Sequence, residues 1–395
     1  MATGCLSSRN TPNFPGLENF KGEWFHTGNW PREGINFADK RVGVIGTGSI
    51  GIQTIPAIAE QAAHLLVFQR TAQYSVPARM EPLDAAEDTR IKADYKGYRA
   101  RSSRQPFGLD LLYQMSTINT SDVGEEERSQ HYEGCWEHGG QALMLAYADT
   151  GTDRAANEAV SDFLKDKIHS VVKDSKVAQV LTPDHIYACK RPRLNTNYFE
   201  VYNRPNVTLV DCRSVGIERI TPTGVMVNGS GHEVDCLVFA TGFDAMTGAL
   251  NNIDIRGKGN RALKDKWADG PRRYLGLSSP GFPNFFTMTG QGSPSVLANM
   301  IPALEQHANW IGDCLEYMRA RDLRTIEATL EAEDPWQIQV LQVADATLWN
   351  ARDNWYTGSN VSGKPRVFMP YVDWVGYVEI CKDVVRDNYR GFTLS

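Results

Sequence analysis

The sequence predicts an α/β fold built around a parallel β-sheet that is buried on both faces. The β-rich run 42–45 leads through closely spaced glycines into apolar residues at helical spacing, and a second β-rich run follows at 65–69. Run 234–239 is almost continuously apolar, which is typical of a strand covered on both faces. The 395 residues, 42% hydrophobic and 22% charged, have an ordinary globular composition that excludes a disordered or fibrous chain.

Charge and cysteine usage narrow the class of protein further. The net charge of -6 carries no general signature of binding to nucleic acid or to a membrane surface, so we expect neither partner. The seven cysteines are scattered and never spaced as C-x-x-C, which predicts thiols in a cytoplasmic protein and no metal site. The uncharged run 42–59 contains Pro56 and four glycines, and we therefore interpret it as strand, turn and helix instead of a membrane span.

The elements follow in order along the chain. Residues 5–40 are predicted to be an irregular connector, and residues 41–76 to form strand, tight turn, helix and strand. The charge-dense stretch 77–185 is predicted to be a helical insertion, including a helix over 155–172. We expect one face of that helix to contain Ala159, Phe163, Ile168 and Val171. Further strands are predicted at 207–210, 215–220, 225–227 and 234–239, and further helices at 302–318 and 335–349.

The glycine-rich turn after the first strand carries the strongest chemical signal. In Gly46-x-Gly48-x-x-Gly51, the first glycine permits the tight turn, the second lets the backbone approach a pyrophosphate, and the third lets helix and strand pack closely. The pyrophosphate would then lie at the helix N-terminus, where N–H groups and the helix dipole favour an anion. The strand–turn–helix–strand context supports a Rossmann-type dinucleotide site, although a glycine-rich turn in another α/β unit is the alternative.

The second strand predicts which dinucleotide binds. Sites for NAD or FAD usually place a carboxylate at its end to bind the ribose 2′-hydroxyl, whereas this chain has Gln69-Arg70-Thr71. A carboxylate would repel a 2′-phosphate, but Arg70 can pair with it, so we predict NADPH. The alternative is that Arg70 is an ordinary surface charge. Three further residues carry no functional signal when each is considered alone. His26 is then typical of a structural histidine, Arg191 of a surface charge at a turn, and Trp355 of an aromatic residue that packs in the core.

Taken together, several motifs carry a family resemblance. The pattern Phe20-x-Gly22-x-x-x-His26-x-x-x-Trp30-Pro31 is followed by GTGSIGIQ, VFQRT, VFATGFD, GSPSVLANM and NWYTG. This series resembles the fingerprint of the type I Baeyer–Villiger monooxygenases, and the resemblance covers essentially the whole chain. It implies that NADPH reduces FAD and that O₂ then converts a small-molecule ketone into an ester or lactone. The cofactors would carry the chemistry, and the protein would orient the reactants and supply charge.

The resemblance also implies roles for individual residues. It assigns catalytic roles to Arg191, as the permanent cation of the active site, and to His26, at the hinge between two dinucleotide domains. The residues implied to bind cofactor are Gly46, Thr47, Gly48, Ser49, Ile50, Gly51, Gln53, Arg70, Thr71, Lys190 and Trp355. Those implied to line the substrate site are Ser295, Val296, Leu297 and Met300.

The domain organisation departs from the family in one respect. The family has two dinucleotide folds with a Gly-x-Gly-x-x-Gly loop each, but this sequence has one such loop, so we expect its FAD site to be incomplete. The predicted parts are a remnant of the FAD domain (1–7), an NADP-binding domain (8–76 and 186–242), the helical insertion (77–185) and the C-terminal part of the FAD domain (243–395).

Three interpretations of the single loop stay open. The chain is a shortened form of a monooxygenase, which we favour, or one half of an enzyme completed by a separate FAD-binding chain, or a protein that only binds NADP(H). Outside the family, a plain NADPH-dependent reductase and a pure binding module rank lower, because no Tyr-x-x-x-Lys proton-donor set stands in a convincing context and a binding module would not need Arg70.

Overall fold

The computed structural model describes residues 1–110, 113–351 and 354–395. They divide into two compact units. Unit 1 comprises Met1–Ser8, Pro82–Gln114 and Asp244–Ser395, and unit 2 comprises Arg9–Glu81 and Met115–Phe243. Residues 82–114 of the proposed insertion thus belong to unit 1 and the rest of it to unit 2, while the cofactor assignments of the domains stay predictions.

The regular elements are numbered in chain order. The strands are β1 (Glu23–His26), β2 (Arg41–Ile45), β3 (His64–Gln69), β4 (Ser75–Pro77), β5 (Arg193–Asn195), β6 (Val207–Asp211), β7 (Ile217–Thr221), β8 (Gly224–Val227), β9 (Ser230–Glu233), β10 (Cys236–Phe239), β11 (Ile326–Ala328) and β12 (Phe392–Leu394). The α-helices are α1 (Ser49–Ala59), α2 (Ala85–Ala93), α3 (Tyr95–Ser102), α4 (Glu125–His138), α5 (Arg154–Val171), α6 (Ser175–Leu181), α7 (Gly248–Asn251), α8 (Leu263–Lys266), α9 (Met300–Arg319), α10 (Leu330–Asp345) and α11 (Trp374–Arg386).

Unit 2 is built on a five-stranded sheet in the order β1-β10-β2-β3-β6, in which every neighbouring pair is parallel. All four residues of β10 are buried, which confirms the prediction of a strand covered on both faces. Because the strands are parallel, their carboxyl ends lie at one edge of the sheet. The turn after β2 and the residues after β3 therefore emerge side by side, as expected for a dinucleotide-binding crevice.

Several strands were missed by the sequence analysis, among them β1 and β9. The predicted irregular connector 5–40 contains β1, which pairs with β10 at the edge of the sheet. Three of its four residues are not buried, and its apolar residues Trp24 and Phe25 are adjacent, so they show neither alternation nor a long apolar run. Strand β9 was missed for a similar reason, since Ser230–Glu233 is polar and contains a glycine. Both strands form because their backbones pair with a buried neighbour, β10 and β8 respectively.

The helix predicted at 155–172 is present as α5, and of the four residues predicted for its inner face only Ile168 is fully buried. Its fully buried residues are Ala156, Asn157, Val160, Ser161, Leu164 and Ile168. Asn157 belongs to this face because its side-chain amide donates to the backbone oxygens of Thr150 and Tyr187 at 2.9 and 3.0 Å. A satisfied buried amide is invisible to a search for apolar periodicity.

Unit 1 is mostly helical around α9, α10 and α11. Helices α9 and α10 begin earlier than the predicted 302–318 and 335–349, because Asn299 and Thr329 cap their first turns. The aromatic core of this unit includes Trp310, Trp336 and Tyr377. The strands β11 and β12 form an antiparallel pair. None of the helices in the described part of the chain combines the length and the apolar composition needed to span a membrane.

Candidate functional site

The turn between β2 and α1 in unit 2 requires two of its glycines. Gly46 has a φ of 110°, and a Cβ there would lie 2.6 Å from the backbone oxygen of Ala240. A Cβ on Gly51 would lie 2.1 Å from the backbone oxygen of Gly46, so helix and turn meet with no room for a side chain. Gly48 differs, because an added Cβ would find no heavy atom within 4 Å. Two glycines thus close the turn, and the third leaves an open surface for a ligand.

The N-terminus of α1 fits an anion. Gly48 is its N-cap and offers no side-chain cap, and no acidic residue lies in the first turn. The first intrahelical bond runs from the Ile52 N–H to the Gly48 oxygen at 2.9 Å. The N–H groups of Ser49, Ile50 and Gly51 precede that bond and have no acceptor within the helix. Open space beside Gly48 and outward-facing N–H groups are what a dinucleotide pyrophosphate needs, so these residues fit NADP(H).

Arg70 and Thr71 lie at the same sheet edge as this turn. Residue Phe68 is the register partner of Ile45, so β3 ends one residue further on and Arg70 follows it, exposed to solvent. The Thr47 hydroxyl donates to the backbone oxygen of Thr71 at 3.1 Å, which joins the glycine turn directly to the segment after β3. Thr47 is predicted to bind cofactor, and the structure gives it this local anchoring contact in addition.

Lys190 and Arg191 precede β5, which pairs in parallel with β4. The Arg193 guanidinium, which is buried, donates to the backbone oxygen of Arg191 at 2.8 Å, while the Arg191 side chain is exposed. Arg70 precedes β4 by a few residues, and Arg191 precedes β5. The two segments therefore lead into neighbouring strands of the β4–β5 pair. The structure therefore groups the predicted Arg70, Thr71, Lys190 and Arg191 in unit 2, with Gln53 exposed on α1.

His26 is a buried anchor at the end of β1. Its Nδ1 accepts the backbone N–H of Gly28 at 2.9 Å, and its Nε2 lies 3.4 Å from the hydroxyl oxygen of Thr241. Burial lowers the pKa of His26. Because Nδ1 accepts the Gly28 N–H, the proton of the neutral ring lies on Nε2. These contacts tie β1 to the turn after β10. They describe a positioning role, and the catalytic role implied by the resemblance stays a prediction.

In unit 1, three of the four predicted substrate residues and Trp355 belong to one apolar cluster. Val296 and Leu297 are buried in it, and Met300 and Trp355 pack against it from partly exposed positions. Ser295 is completely buried, and its hydroxyl donates to the backbone oxygen of Thr289 at 3.0 Å. The cluster also includes Ala245, Met246, Ala344, Tyr356, Phe368 and Met369. The structure thus brings these five predicted residues together within unit 1.

A buried ion pair beside this cluster was missed by the sequence analysis. The Lys364 ammonium lies 2.6 Å from the Asp244 carboxylate and donates to the backbone oxygen of Ala245 at 2.6 Å. It joins the end of the VFATGFD motif to the chain that follows Trp355. A single lysine in GKPR carries no spacing signal, so only the fold reveals the pair. Because the Lys364 side chain is only 9% exposed, removing Asp244 would leave a buried ammonium without its carboxylate.

The two most strongly perturbed histidines predict acid sensitivity of the fold. Burial lowers the pKa of His185 in unit 2 and of His307 in unit 1 from 6.5 to about 4. Below pH 6.5 these two histidines become protonated in the unfolded chain but stay neutral in the folded chain. The free energy of unfolding should therefore fall as the pH drops toward 4. Each histidine contributes a slope of up to about 1.4 kcal/mol per pH unit. Urea unfolding between pH 7 and 4.5 measures it.

The control for this prediction is the His185→Gln, His307→Gln double variant, which cannot titrate at these positions. Its free energy of unfolding should depend less steeply on pH than that of the parent protein. Equal slopes for the two proteins would contradict the assignment of this acid sensitivity to His185 and His307.

Curated relatives resemble this chain over nearly its whole length, and a family model matches its first part. Residues 2–88 match the family model described as flavin-binding monooxygenase-like. The chain is 41% identical to a Baeyer–Villiger monooxygenase of Pseudooceanicola batsensis, covering 99% of this chain and 71% of that protein. It is 38% identical to cyclohexanone 1,2-monooxygenase of an Acinetobacter species, covering 100% and 72%. It is also 38% identical to a phenazine N-monooxygenase of Lysobacter antibioticus, again covering 100% and 72%.

Solved structures agree with the curated relatives. An oxidised steroid monooxygenase bound to NADP superposes with a TM-score of 0.92 at 46% identity, over 99% of this chain and 73% of that one. OTEMO in complex with FAD and NADP superposes with a TM-score of 0.94 at 36% identity, over 100% and 74%. Identity of this level across nearly the whole chain, with the same fold, shows that the protein belongs to the Baeyer–Villiger monooxygenases.

Proposed function

We propose that this chain binds NADP(H) and lines the ketone site of a monooxygenase that uses NADPH, FAD and O₂ to convert a small ketone into an ester or lactone. The observation that carries the proposal is the glycine turn of unit 2, with open space at Gly48, followed across the sheet edge by Arg70 in place of a carboxylate. The ketone class is supported by the names of the relatives, which include cyclohexanone 1,2-monooxygenase.

Different residues of the chain would bind different parts of NADP(H). The N–H groups of Ser49, Ile50 and Gly51 would receive the pyrophosphate, and the exposed Arg70 guanidinium would pair with the 2′-phosphate, assisted by Lys190 and Thr71. Gln53 lies one turn into α1 and would contact the cofactor beyond its phosphates. A contact of Trp355 with the cofactor is implied by the family resemblance and stays a prediction. When bound, NADPH supplies the hydride that the reaction needs.

Arg191 would supply the positive charge of the reaction centre. A guanidinium stays protonated throughout the physiological pH range, and its N–H groups can bind the oxygen of a ketone carbonyl as negative charge develops there. The Arg193 bond to its backbone oxygen fixes the main chain and leaves the side chain available. The apolar residues Val296, Leu297 and Met300 would contact the hydrocarbon part of the ketone, because burial of apolar surface favours such a ligand.

The described residues do not fit FAD in the same way. The glycine turn with its following helix occurs in unit 2, and the described strands of unit 1 form the antiparallel pair β11–β12 without such a turn. The described residues thus support the proposed binding of nucleotide and ketone, and they do not account for the binding of the flavin. A further polypeptide segment or a separate FAD-binding chain would complete the site, and the FAD-loaded enzyme is the chain completed in this way. The fluorescence of FAD can be titrated with this chain alone, with an extended version that carries a further segment, and with this chain mixed with a separate FAD-binding chain. The protein that binds FAD distinguishes the two possibilities.

We further propose O₂ as the co-substrate and a cytoplasmic location, with neither nucleic acid nor membrane as a partner. The location is supported by seven cysteines that stand as thiols.

Replacement of Arg70 tests the nucleotide assignment. We expect Arg70→Ala to weaken NADPH binding by about tenfold to a hundredfold, because a charge-assisted contact to the 2′-phosphate is lost. The affinity for NADH, which has no 2′-phosphate, should change little. Calorimetric titration of both nucleotides measures the two dissociation constants.

The matched control is Arg213→Ala, which removes another exposed arginine just beyond a sheet strand, where it pairs with Asp211. It should leave both affinities within about twofold of the parent. If Arg70→Ala weakens NADH as much as NADPH, or weakens neither, Arg70 does not bind the 2′-phosphate.

A further inference from the structure

We propose that His307 is a positioning residue that fixes the substrate-lining turn through a buried hydrogen-bond chain. The inference rests on the proposed function, because it deepens the role assigned to Ser295, Val296 and Leu297. His307 lies on the inner face of α9 and is completely buried. None of the sequence motifs includes it.

The hydrogen-bond chain runs without a break from helix α11 to Ser295. The Tyr377 hydroxyl donates to the backbone oxygen of Leu275 at 2.7 Å and lies 2.7 Å from the Nε2 of His307. The Nδ1 of His307 accepts the backbone N–H of Thr289 at 2.9 Å. The backbone oxygen of Thr289 accepts the hydroxyl of Ser295 at 3.0 Å.

The direction of each bond admits one form of the imidazole. Since the only hydroxyl proton of Tyr377 goes to Leu275, its oxygen must accept from Nε2–H of His307. Nδ1 must then be unprotonated, because it receives the Thr289 N–H. A ring with its proton on Nδ1, or on both nitrogens, would turn two N–H groups toward each other. His307 is therefore held as one neutral tautomer, in agreement with a pKa lowered to about 4 by burial.

The turn needs such support because its backbone is strained. Thr289 and Ser295 have φ angles of 50° and 46°, a region that residues with a side chain rarely adopt. The turn also lies flush against a neighbouring segment, since a Cβ on Gly276 would lie 2.4 Å from the backbone nitrogen of Ser293. A strained backbone conformation persists only where surrounding contacts hold it in place. Here the hydrogen bond from the Thr289 N–H to His307 is such a contact.

The consequence concerns which ketones fit. Ser295 opens the short helical turn that contains Val296 and Leu297, so the position of Thr289 sets the position of the apolar wall. The hydrogen bonds of His307 connect it to that wall through Thr289 and Ser295. Replacing His307 should therefore change ketone recognition without changing nucleotide binding.

Amide exchange of Thr289 tests the hydrogen-bond chain in the protein as it stands. We expect His307→Leu to accelerate exchange of this amide at least tenfold, because its acceptor is lost. In His307→Asn the side-chain oxygen takes approximately the place of Nδ1, so exchange should return to within about threefold of the parent. Tyr377→Phe removes the acceptor that keeps the His307 proton on Nε2. It should therefore give an exchange rate of the Thr289 amide between those of the parent and His307→Leu. Hydrogen–deuterium exchange NMR on deuterated protein measures all of them.

Cys314→Ala is the matched control, since Cys314 is buried on the same face of α9 without belonging to the chain of bonds. It should lower thermal stability and leave Thr289 exchange unchanged. Equal acceleration in His307→Leu, His307→Asn and Cys314→Ala would overturn the proposal, because it would show a general loss of packing. Should His307→Leu fail to fold, the comparison of Tyr377→Phe with Cys314→Ala decides in the same way.

NADPH titration of the same samples separates this inference from the proposed function. Parent-like NADPH affinity with altered Thr289 exchange supports both. A parent protein that binds no NADPH would contradict the proposed function while leaving the exchange result for His307 intact. In the FAD-loaded enzyme, His307→Leu should raise KM for cyclohexanone at least threefold with KM for NADPH unchanged, and His307→Asn should restore it; an unchanged ketone KM would overturn the positioning role.

Discussion

Replacement of Gly51 by alanine is expected to abolish NADP(H) binding and to lower the free energy of unfolding by more than about 3 kcal/mol. The new Cβ would lie 2.1 Å from the backbone oxygen of Gly46, and neither backbone can move without parting α1 from β2. Chemical denaturation gives the loss of stability, and titration with NADPH under conditions where the variant is folded gives the loss of binding.

Two other glycines provide the controls. Gly134→Ala lies within α4 and meets no heavy atom within 4 Å, so it should be neutral or slightly stabilising. Gly48→Ala also meets no heavy atom within 4 Å, but it fills the surface at which the nucleotide would approach. We expect it to keep its stability and to bind NADPH at least tenfold more weakly. A Gly51→Ala protein with parent-like stability and affinity would contradict the close packing of turn and helix.

Replacement of Arg191 by alanine is expected to reduce ester formation by the FAD-loaded enzyme about a hundredfold or more. Loss of one donor that stabilises a developing oxyanion commonly costs about 3–4 kcal/mol in the transition state. NADPH affinity should stay within a few fold of the parent, because Arg70 and the helix N-terminus carry the proposed nucleotide contacts. Product analysis by gas chromatography under saturating NADPH measures the rate.

Stability separates a chemical role of Arg191 from a structural one. Its side chain is exposed, so Arg191→Ala should change the free energy of unfolding by no more than about 0.5 kcal/mol. Arg193→Ala is the contrasting variant, since Arg193 is only 8% exposed and holds the backbone of Arg191. It should lose stability as well as activity. Unchanged ester formation in Arg191→Ala would reject its assignment to the reaction centre.

Those parts of the fold that have a strong local sequence pattern could be predicted from the sequence. The β2–α1–β3 unit combines an apolar strand, three glycines with separate tasks and helical spacing, and the structure confirms each element. Strands β1 and β9 could not be predicted in this way. Their residues are largely exposed, and they form because a neighbouring strand offers backbone partners, which is information that lies far away in the sequence.

The candidate site shows the same limit. The glycine turn and Arg70 can be predicted locally, because their tasks depend on residues a few positions apart. Lys364 and His307 cannot, since their partners Asp244 and Tyr377 are 120 and 70 residues away. Within unit 1, the resemblance alone implied substrate roles for Ser295, Val296, Leu297 and Met300 and a cofactor role for Trp355, and these contacts with ligand stay predictions.

The product formed from a ketone under ¹⁸O₂ tests the central claim most directly. The FAD-loaded protein, supplied with NADPH, cyclohexanone and a phenazine in the same reaction, should release a lactone that contains one atom of ¹⁸O. Mass spectrometry identifies the product. The presence among the relatives of a phenazine N-monooxygenase makes N-oxidation the informative alternative. A labelled N-oxide without any lactone, from protein that binds both NADPH and FAD, would contradict Baeyer–Villiger oxygenation as the function of this chain.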